Sequence, residues 1–260
     1  RGAHVVNYEG GAPGYLHGLQ SITLTGELGA MDASEVRSSI RPEFIHCPKT
    51  GVVCMEQTHM SSGGSVVPMH AMAAVKEVCG EAGVPVHLDG ARLANAEAAS
   101  GVSAAAWAAT ADSVSVCLSK GLGAPVGSLV AGDADFLLRA RVVRKRLGGW
   151  MRQAGIIAAG GLYALENNRE RLAEDHSLAK DLAARLDRMD GLSCDPEAIQ
   201  TNLVIVRVAG GAPALAEQLA LRDVKVMALS PDSLRFVTHM GVGSTDVDVL
   251  ERSLQEILGG

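Results

Sequence analysis

The chain has 260 residues, of which 47% are hydrophobic and 20% are charged, so it can bury a sizeable core. Its formal net charge is −6, and apart from residues 139–146 its basic side chains do not gather into a run, which argues against a nucleic-acid partner. No apolar run approaches the roughly 20 residues of a membrane-spanning helix, and residues 1–11 lack the apolar core of a signal peptide.

The cysteines form an odd set, with no CxxC pair and no histidine at zinc-finger spacing. This usage is typical of a reducing compartment, so we expect a cytoplasmic protein with no metal site. Because no apolar run is long enough to span a bilayer, we also expect no membrane partner. The five cysteines are Cys47, Cys54, Cys79, Cys117 and Cys194.

Short β-rich runs alternate with helical periodicity through the first half of the chain. In chain order the predicted elements are strand Ser21–Thr25, helix Asp32–Ile40, strand Val52–Glu56, helix Met69–Ala82, strand Val84–Asp89, helix Ala91–Ala99, strand Ser113–Leu118 and strand Gly127–Ala131. Asp32 and Glu35 have the spacing of a capping box. The alternation predicts an α/β fold with right-handed crossovers and a mostly parallel sheet.

The second half is predicted to be helical first and mixed afterwards. One helix begins at Gly132 or Asp133 and ends near Gly148, and a longer helical region runs from Gln153 to Met189 with a break near Asn167. The elements that follow are strand Asn202–Val208, helix Ala212–Ala220, strand Val224–Met227, strand Leu234–Thr238 and helix Asp246–Ile257. We therefore expect a large domain over 1–150, linking helices over 151–190 and a small α+β domain over 191–260.

Two polar residues stand at the ends of predicted neighbouring strands. Lys120 follows the Ser113–Leu118 strand in a glycine-rich turn, where a partly desolvated amine can attack an aldehyde to form an imine. Asp89 ends an earlier strand, and its carboxylate can pair with a pyridinium nitrogen. The structural alternatives are an exposed loop lysine and an aspartate that caps the helix near Ala91.

Other candidates depend on their neighbours in the sequence. Arg92 stands three residues after Asp89 and can bind a carboxylate, or it can be a helix-surface arginine. His59 follows the Val52–Glu56 strand and can accept a proton, or it can be a hydrogen-bonded loop histidine. His4 can offer an imidazole face to a flat ring. Arg235, between apolar residues of a strand, needs an anion, which can be a substrate carboxylate or an internal acid.

Six motifs, taken in order, resemble those of the threonine aldolases. They are His4–Gly11 (HVVNYEGG), Glu56–His59 (EQTH), His87–Arg92 (HLDGAR), Ser119–Ser128 (SKGLGAPVGS), Arg144–Gln153 (RKRLGGWMRQ) and Arg235–His239 (RFVTH). Each is moderately specific, but six in order over nearly the whole chain are hard to obtain by chance. The chain is therefore identified as a member of this family of beta-eliminating lyases.

The resemblance implies a fold-type-I enzyme that uses pyridoxal 5'-phosphate, with a large domain and a small α+β domain. Lys120 resembles the lysine that holds the cofactor as a Schiff base, Asp89 the partner of the pyridine nitrogen and His4 the residue stacked on the ring. Arg92 and Arg235 resemble the substrate-carboxylate clamp. The remaining implied site residues are His59 near the β-hydroxyl, Tyr8 and Lys145 at the substrate, and Arg152 as a phosphate contact.

The implied reaction is the cleavage of L-threonine or L-allo-threonine to glycine and acetaldehyde by a homodimer or homotetramer. His59, or a water held by His59 or His4, is the expected base for the β-hydroxyl proton. The family's N-terminal arm and phosphate loop are expected to be absent from this chain. Two alternatives stay open: another lyase of the family, acting on aromatic β-hydroxy amino acids or eliminating a β-substituent, and a non-catalytic remnant that keeps the fold.

Overall fold

The computed structural model describes residues 1–259, which form two compact units, residues 1–169 and residues 170–259. The division falls inside the segment 151–190 that the sequence suggested as a linker. One of the two long helices of that segment belongs to the first unit and the other to the second.

The first unit is α/β. In chain order its elements are α1 His4–Asn7, α2 Ala12–His17, β1 Gly26–Glu27, β2 Ala30–Met31, α3 Ala33–Ser39, β3 Val53–Glu56, a 3₁₀ turn Met60–Ser62, α4 Met69–Glu81, β4 Val86–Asp89, α5 Leu93–Ser100, α6 Ala104–Ala108, β5 Ser113–Cys117, β6 Ser128–Gly132, α7 Ala134–Arg146 and α8 Gly155–Asn167. The predicted alternation of strands and helices is therefore confirmed from β3 onwards.

The main sheet of the first unit has the strand order β3-β4-β5-β6. The first three strands are parallel, as predicted, whereas β6 is antiparallel to β5. The reason is the length of the connection: residues 118–127 are too few for a crossover, which takes a dozen or more residues. The sheet is therefore mixed, with a parallel part that carries the ends of β3, β4 and β5 to one edge.

Two strand predictions are wrong in position. Ser21–Thr25 is not a strand, because the residues that pair are those of the short hairpin β1–β2, whose turn holds Leu28 and Gly29 at φ 51° and 89°. The strand predicted over Val224–Met227 instead spans Met227–Ser230, since its register follows the turn that leads into the next strand.

The predicted capping box is half correct. The Asp32 side chain accepts hydrogen bonds from the backbone N–H groups of Ser34 and Glu35, which makes it the N-cap of α3. The Glu35 carboxylate, however, accepts from the hydroxyl of Thr25 at 3.2 Å. It therefore attaches the preceding segment to α3.

The core of the first unit lies between the main sheet and its helices. Helix α4 places Met72, Val75 and Cys79 on one buried face, at the spacing of one side of a helix. Leu88 in β4 and Trp107 in α6 are also almost fully buried. The strand that ends at Asp89 is therefore held by the packing of its apolar side chains.

Leu88→Ala is expected to lower the free energy of unfolding by about 2–5 kcal/mol, because it removes a side chain with 0% exposure and leaves a cavity. Denaturant unfolding followed by circular dichroism measures the change. Leu221→Ala, at a position that is 86% exposed, is the control and should change stability by less than about 0.5 kcal/mol. Equal losses in the two variants would contradict the described packing of β4.

The second unit is an α+β unit with a four-stranded antiparallel sheet in the order β7-β8-β10-β9. In chain order its elements are α9 Leu172–Leu186, β7 Leu192–Ser193, a 3₁₀ turn Pro196–Ala198, β8 Leu203–Val208, α10 Ala212–Ala220, β9 Met227–Ser230, β10 Ser233–Val237 and α11 Ser244–Leu258. The predicted break after Asn167 is confirmed, because α8 ends there and α9 begins at Leu172.

The core of the second unit forms where its helices cover one face of the sheet. Leu203, Leu219, Leu234 and Leu254 each have 0% exposure. Across residues 1–259, no helix combines the length and the apolar character needed to cross a membrane.

Candidate functional site

The carboxyl ends of three parallel strands meet at one edge of the main sheet. β3 ends at Glu56 and β4 at Asp89, which are paired in register, and Asp89 pairs in turn with Ser115 of β5. Ligand sites in α/β proteins form outside such an edge, because the loops that follow the strands converge there. The fold therefore places Glu56 and Asp89, which end their strands, at the edge of the sheet where a ligand would bind.

A pocket of about 220 Å³ opens at this edge. Three of the predicted site residues, His4, Asp89 and Lys120, line it together. The other lining residues are Glu9, Ala91, Ser115, Val116, Cys117 and Ser128. An imidazole, a carboxylate and an amine from distant parts of the sequence thus share one small pocket.

Asp89 is half-buried at the carboxyl end of β4. Its Oδ1 accepts a hydrogen bond from the backbone N–H of Ala91 at 3.0 Å, and its carbonyl accepts from the N–H of Gln57 at 2.8 Å. Helix α5 begins at Leu93, with Arg92 in the N-cap position. Asp89 therefore closes the turn before the helix rather than capping the helix itself, and its side chain also faces the pocket.

Lys120 lies in the turn after β5, where its carbonyl accepts from the backbone N–H of Gly123 at 2.8 Å. Its side chain is exposed, so the partial desolvation expected from the sequence is not found. The reason is its place in the turn, two residues beyond Leu118, a buried residue that follows the end of β5. Its amine is therefore accessible from the pocket mouth.

Cys117 is a pocket residue that the sequence did not single out. Its Sγ lies 3.4 Å from Ser119 Oγ. Burial acts to raise the pKa of the Cys117 thiol, but hydrogen bonding to Ser119 and the charge of Lys120 outweigh burial, and the pKa falls below its usual value. Its thiolate is thus easier to form than that of an ordinary cysteine.

His4 is attached to the pocket by its backbone and oriented by its ring. Its backbone N–H donates to Glu56 Oε2 at 2.7 Å, and its Nδ1 lies 2.8 Å from Glu9 Oε1. The ring of Tyr8 packs beside the imidazole, with centroids 5.1 Å apart. Tyr8 itself is exposed and does not line the pocket. Sequence reasoning missed Glu9, although the residue lies inside the first motif.

His59 is buried and lies outside the lining of the pocket. Its Nδ1 is 2.8 Å from Ser62 Oγ within the 3₁₀ turn. Its ring packs against Gly29, where an added Cβ would stand 2.9 Å from His59 Cδ2. His59 is therefore a hydrogen-bonded histidine of this loop, and its part in proton transfer stays a prediction.

Arg92 is connected to the site through a buried glutamine. The backbone N–H of Arg92 donates to the carbonyl of Gln57 at 3.3 Å. The Gln57 side chain has 0% exposure and is bonded to both backbone groups of Val67, with Nε2 donating to the carbonyl at 3.1 Å and Oε1 accepting from the N–H at 3.0 Å. Arg92 is half-buried and does not line the pocket.

Two basic residues of the fifth motif lie in and after α7. Lys145 is in its last turn, Arg152 is in the segment before α8, and both side chains are exposed and outside the pocket lining. Arg144 packs its guanidinium over the ring of Trp150, 4.9 Å from the centroid, which is a cation–π geometry. The structure thus gives this motif a local contact but does not bring it to the pocket.

Arg235 belongs to the second unit. It is half-buried in the middle of β10, between Ile205 of β8 and Met227 of β9. It lines a larger pocket of about 600 Å³ within that unit, together with Lys225 and His239.

His87 lies on β4 two residues before Asp89, and its Nδ1 is 2.9 Å from Ser113 Oγ. Burial lowers the pKa of His87, and attraction to Asp89 offsets this only in part. Because the pKa is lower in the folded state than in the unfolded state, the unfolded chain binds the proton more readily. The stability that depends on the neutral imidazole is therefore full above about pH 6.5 and is lost as the pH falls towards the folded-state pKa.

We expect His87→Gln to reduce the loss of thermal stability between about pH 7.5 and about pH 5.5, the range that includes the unperturbed pKa. Differential scanning calorimetry at the two pH values measures the effect. His70→Gln, at an exposed position of α4, is the control and should leave the difference unchanged. The same pH dependence in His87→Gln as in the unsubstituted chain would show that the imidazole is not the group responsible.

No cluster of three or more histidine, cysteine or carboxylate side chains suited to a metal ion occurs within residues 1–259. In the part of the chain that the structure describes, all five cysteines are free.

The chain is similar to known proteins along almost its whole length. The family described as beta-eliminating lyase matches residues 1–209. Low-specificity L-threonine aldolase 1 of Arabidopsis thaliana is 38% identical over 251 residues, covering 94% of this chain and 70% of the relative. The low specificity L-threonine aldolase of Escherichia coli K12 is 38% identical over 242 residues, covering 92% of this chain and 70% of the relative.

Solved structures have the same fold. A structure from Listeria monocytogenes, described as a putative L-allo-threonine aldolase, aligns with a TM-score of 0.80 at 24% identity and covers 98% of this chain and 72% of that one. The threonine aldolase of Leishmania major aligns with a TM-score of 0.78 at 18% identity, with coverage of 99% and 75%. The fold class inferred from the sequence is confirmed.

Proposed function

Since the chain belongs to the beta-eliminating lyase family, and within it to the threonine aldolases, we propose that it cleaves L-threonine and L-allo-threonine to glycine and acetaldehyde. It is an aldehyde-lyase, and its cofactor is pyridoxal 5'-phosphate. The observation that carries the proposal is the single pocket lined by Lys120, Asp89 and His4.

The pocket residues fit this cofactor by their donor chemistry. Lys120 supplies an accessible amine that can bind its aldehyde, Asp89 a carboxylate for its ring nitrogen, and His4 an imidazole face for its ring. When bound, the cofactor draws electron density from the substrate Cα and weakens the bond between Cα and Cβ. Arg152 is proposed as a phosphate contact on the sequence resemblance.

The protein's own groups are proposed to orient the substrate and to move one proton. Arg92 binds the substrate carboxylate through its guanidinium, which holds the Cα–Cβ bond in a reactive orientation. His59, or a water held by His59 or His4, accepts the proton of the β-hydroxyl. Arg235 is proposed as a further carboxylate-binding residue, and Tyr8 and Lys145 as substrate-binding residues, on the sequence resemblance.

We propose a homodimer or homotetramer, supported by exposed apolar side chains on β6 and α7, such as Leu129, Val130, Leu138 and Val142. A single monomeric species in sedimentation velocity would contradict this. The free cysteines support a cytoplasmic location, which localisation of a tagged protein in its source cells would test.

Acetaldehyde release in the presence of pyridoxal 5'-phosphate, coupled to an NADH-dependent alcohol dehydrogenase, tests the function. We expect release from both L-threonine and L-allo-threonine. Cofactor binding without acetaldehyde release would instead favour another lyase of the family, and an absence of cofactor binding would favour a non-catalytic protein with this fold.

A further inference from the structure

Glu56, the last residue of β3, accepts hydrogen bonds from two separate segments, one at His4 and one at the turn after His59. Its carboxylate is buried, with only 8% of the residue exposed. Oε2 accepts from the backbone N–H of His4 at 2.7 Å, and Oε1 accepts from the backbone N–H of Met60 at 2.8 Å. One carboxylate therefore joins the segment of His4 to the 3₁₀ turn that follows His59.

We propose that Glu56 is a positioning residue for the reaction: it holds His4 against the pocket that contains Asp89 and Lys120. This inference rests on the proposed function, in which His4 faces the cofactor. Glu56 itself is not among the residues that line the pocket, so its effect is transmitted through His4.

The remaining contacts of His4 cannot replace this bond. Its ring contacts Glu9 and Tyr8, which belong to the same short segment, so they orient the imidazole without attaching the segment to the sheet. The bond to Glu56 spans 52 positions of the sequence and is made to the end of a sheet strand. The ordering of His4 relative to Asp89 therefore depends on it.

A second tether holds the chain nearer its first residue. The hydroxyl of Ser61 donates to the carbonyl of Gly2 at 2.6 Å, and an added Cβ at Gly2 would stand 3.1 Å from Ser61 Cβ. This tether is exposed, whereas the bond of Glu56 to His4 is partly buried and its bond to Met60 is buried. Loss of Glu56 should thus release His4 while leaving Gly2 attached.

The two bonds require a carboxylate with the length of glutamate. Two oxygens can accept from two N–H donors at once, and both bonds are strengthened by the negative charge. Glutamine presents an NH₂ donor to one of the two N–H groups, so one bond is lost. Aspartate keeps both oxygens but is one methylene shorter, so we expect its effect to be intermediate.

Glu56→Gln is expected to lower kcat for L-threonine by about 10- to 100-fold, because misplacing a group at the cofactor by about 1 Å costs a factor of this size. KM should change less, because the substrate carboxylate is bound by arginine. The visible circular dichroism of the bound cofactor should also change, since His4 faces it. Glu56→Asp repeats these measurements if the glutamine variant does not fold.

Glu97→Gln is the matched control. Glu97 is also a partly buried carboxylate of the first unit that accepts a backbone N–H, that of Ala104 at 3.1 Å, and it pairs with Arg169 away from the pocket. Its replacement should cost stability without changing kcat or the cofactor spectrum. If Glu56→Gln lowers kcat no more than Glu97→Gln does, the positioning role is wrong.

Hydrogen exchange at the backbone N–H of His4 tests the inference without activity. In Glu56→Gln we expect this amide to exchange at least about tenfold faster than in the unsubstituted chain, because protection follows the free energy of local opening. Unchanged exchange at His4 would overturn the proposal, whatever happens at Met60. If the unsubstituted chain releases no aldehyde, the proposed function fails, while exchange at His4 still decides the role of Glu56.

Discussion

Lys120→Ala is expected to reduce acetaldehyde release from L-threonine by roughly 10³-fold or more, because it removes the amine that is proposed to bind the cofactor. The residue lies at the pocket mouth and its side chain is exposed, so the substitution should leave the fold intact. The rate is measured in the coupled assay with saturating cofactor, and thermal unfolding verifies the fold.

Two further variants sharpen this result. Lys120→Arg keeps a positive charge but has no amine that can attack an aldehyde, so we expect it to be as inactive as the alanine variant. Lys49→Ala, at an exposed position 4.0 Å from Glu43, should retain full activity. If Lys120→Arg were nearly as active as the unsubstituted chain, the positive charge at this position would be sufficient. The proposed bond between the amine and the cofactor aldehyde would then be wrong.

Asp89→Asn is expected to lower kcat by about 10²–10³-fold, the usual cost of removing one preorganised electrostatic group from an active site. The asparagine side-chain oxygen can still accept from the N–H of Ala91, so the turn before α5 should persist. What is lost is the charge that pairs with the ring nitrogen of the cofactor. Steady-state kinetics and the absorbance of the bound cofactor measure the two consequences.

Asp112→Asn is the matched control for this substitution. Asp112 also accepts a backbone N–H, that of Val86 at 2.7 Å, and it pairs with Lys76, but it does not line the pocket. We expect its replacement to affect stability and not kcat. Asp89→Asn with unchanged kcat would support the purely structural reading, in which Asp89 only closes a turn.

The local structure of the chain could be predicted where the signal lies within one turn or one strand. Asp32 was correctly expected to cap α3, because an N-cap bond joins residues two and three apart. The Ser21–Thr25 strand was wrong because a strand also needs a partner, and the pairing residues are those of β1 and β2. The antiparallel direction of β6 follows from the short loop that precedes it. The pattern of residues within a strand does not indicate the direction in which the strand pairs.

Some residues of the candidate site could also be predicted from local patterns, whereas others could not. The positions of Asp89 and Lys120 at strand ends follow from local patterns, and parallel strands bring their carboxyl ends to one edge, so their meeting could be predicted. The position of His4 could not be predicted in this way. It depends on a hydrogen bond to Glu56, which lies 52 positions further along the chain. The burial of His59 behind Gly29 is likewise a packing result.

The sequence by itself determined the α/β class, the family and the candidates Lys120 and Asp89, because alternation, turn residues and ordered motifs are written along the chain. Only the tertiary structure decided which candidates share a pocket, that Lys120 is exposed and that Glu9 and Glu56 support His4. The physical reason is that burial and long-range hydrogen bonds depend on how distant segments pack, and no local pattern encodes that packing.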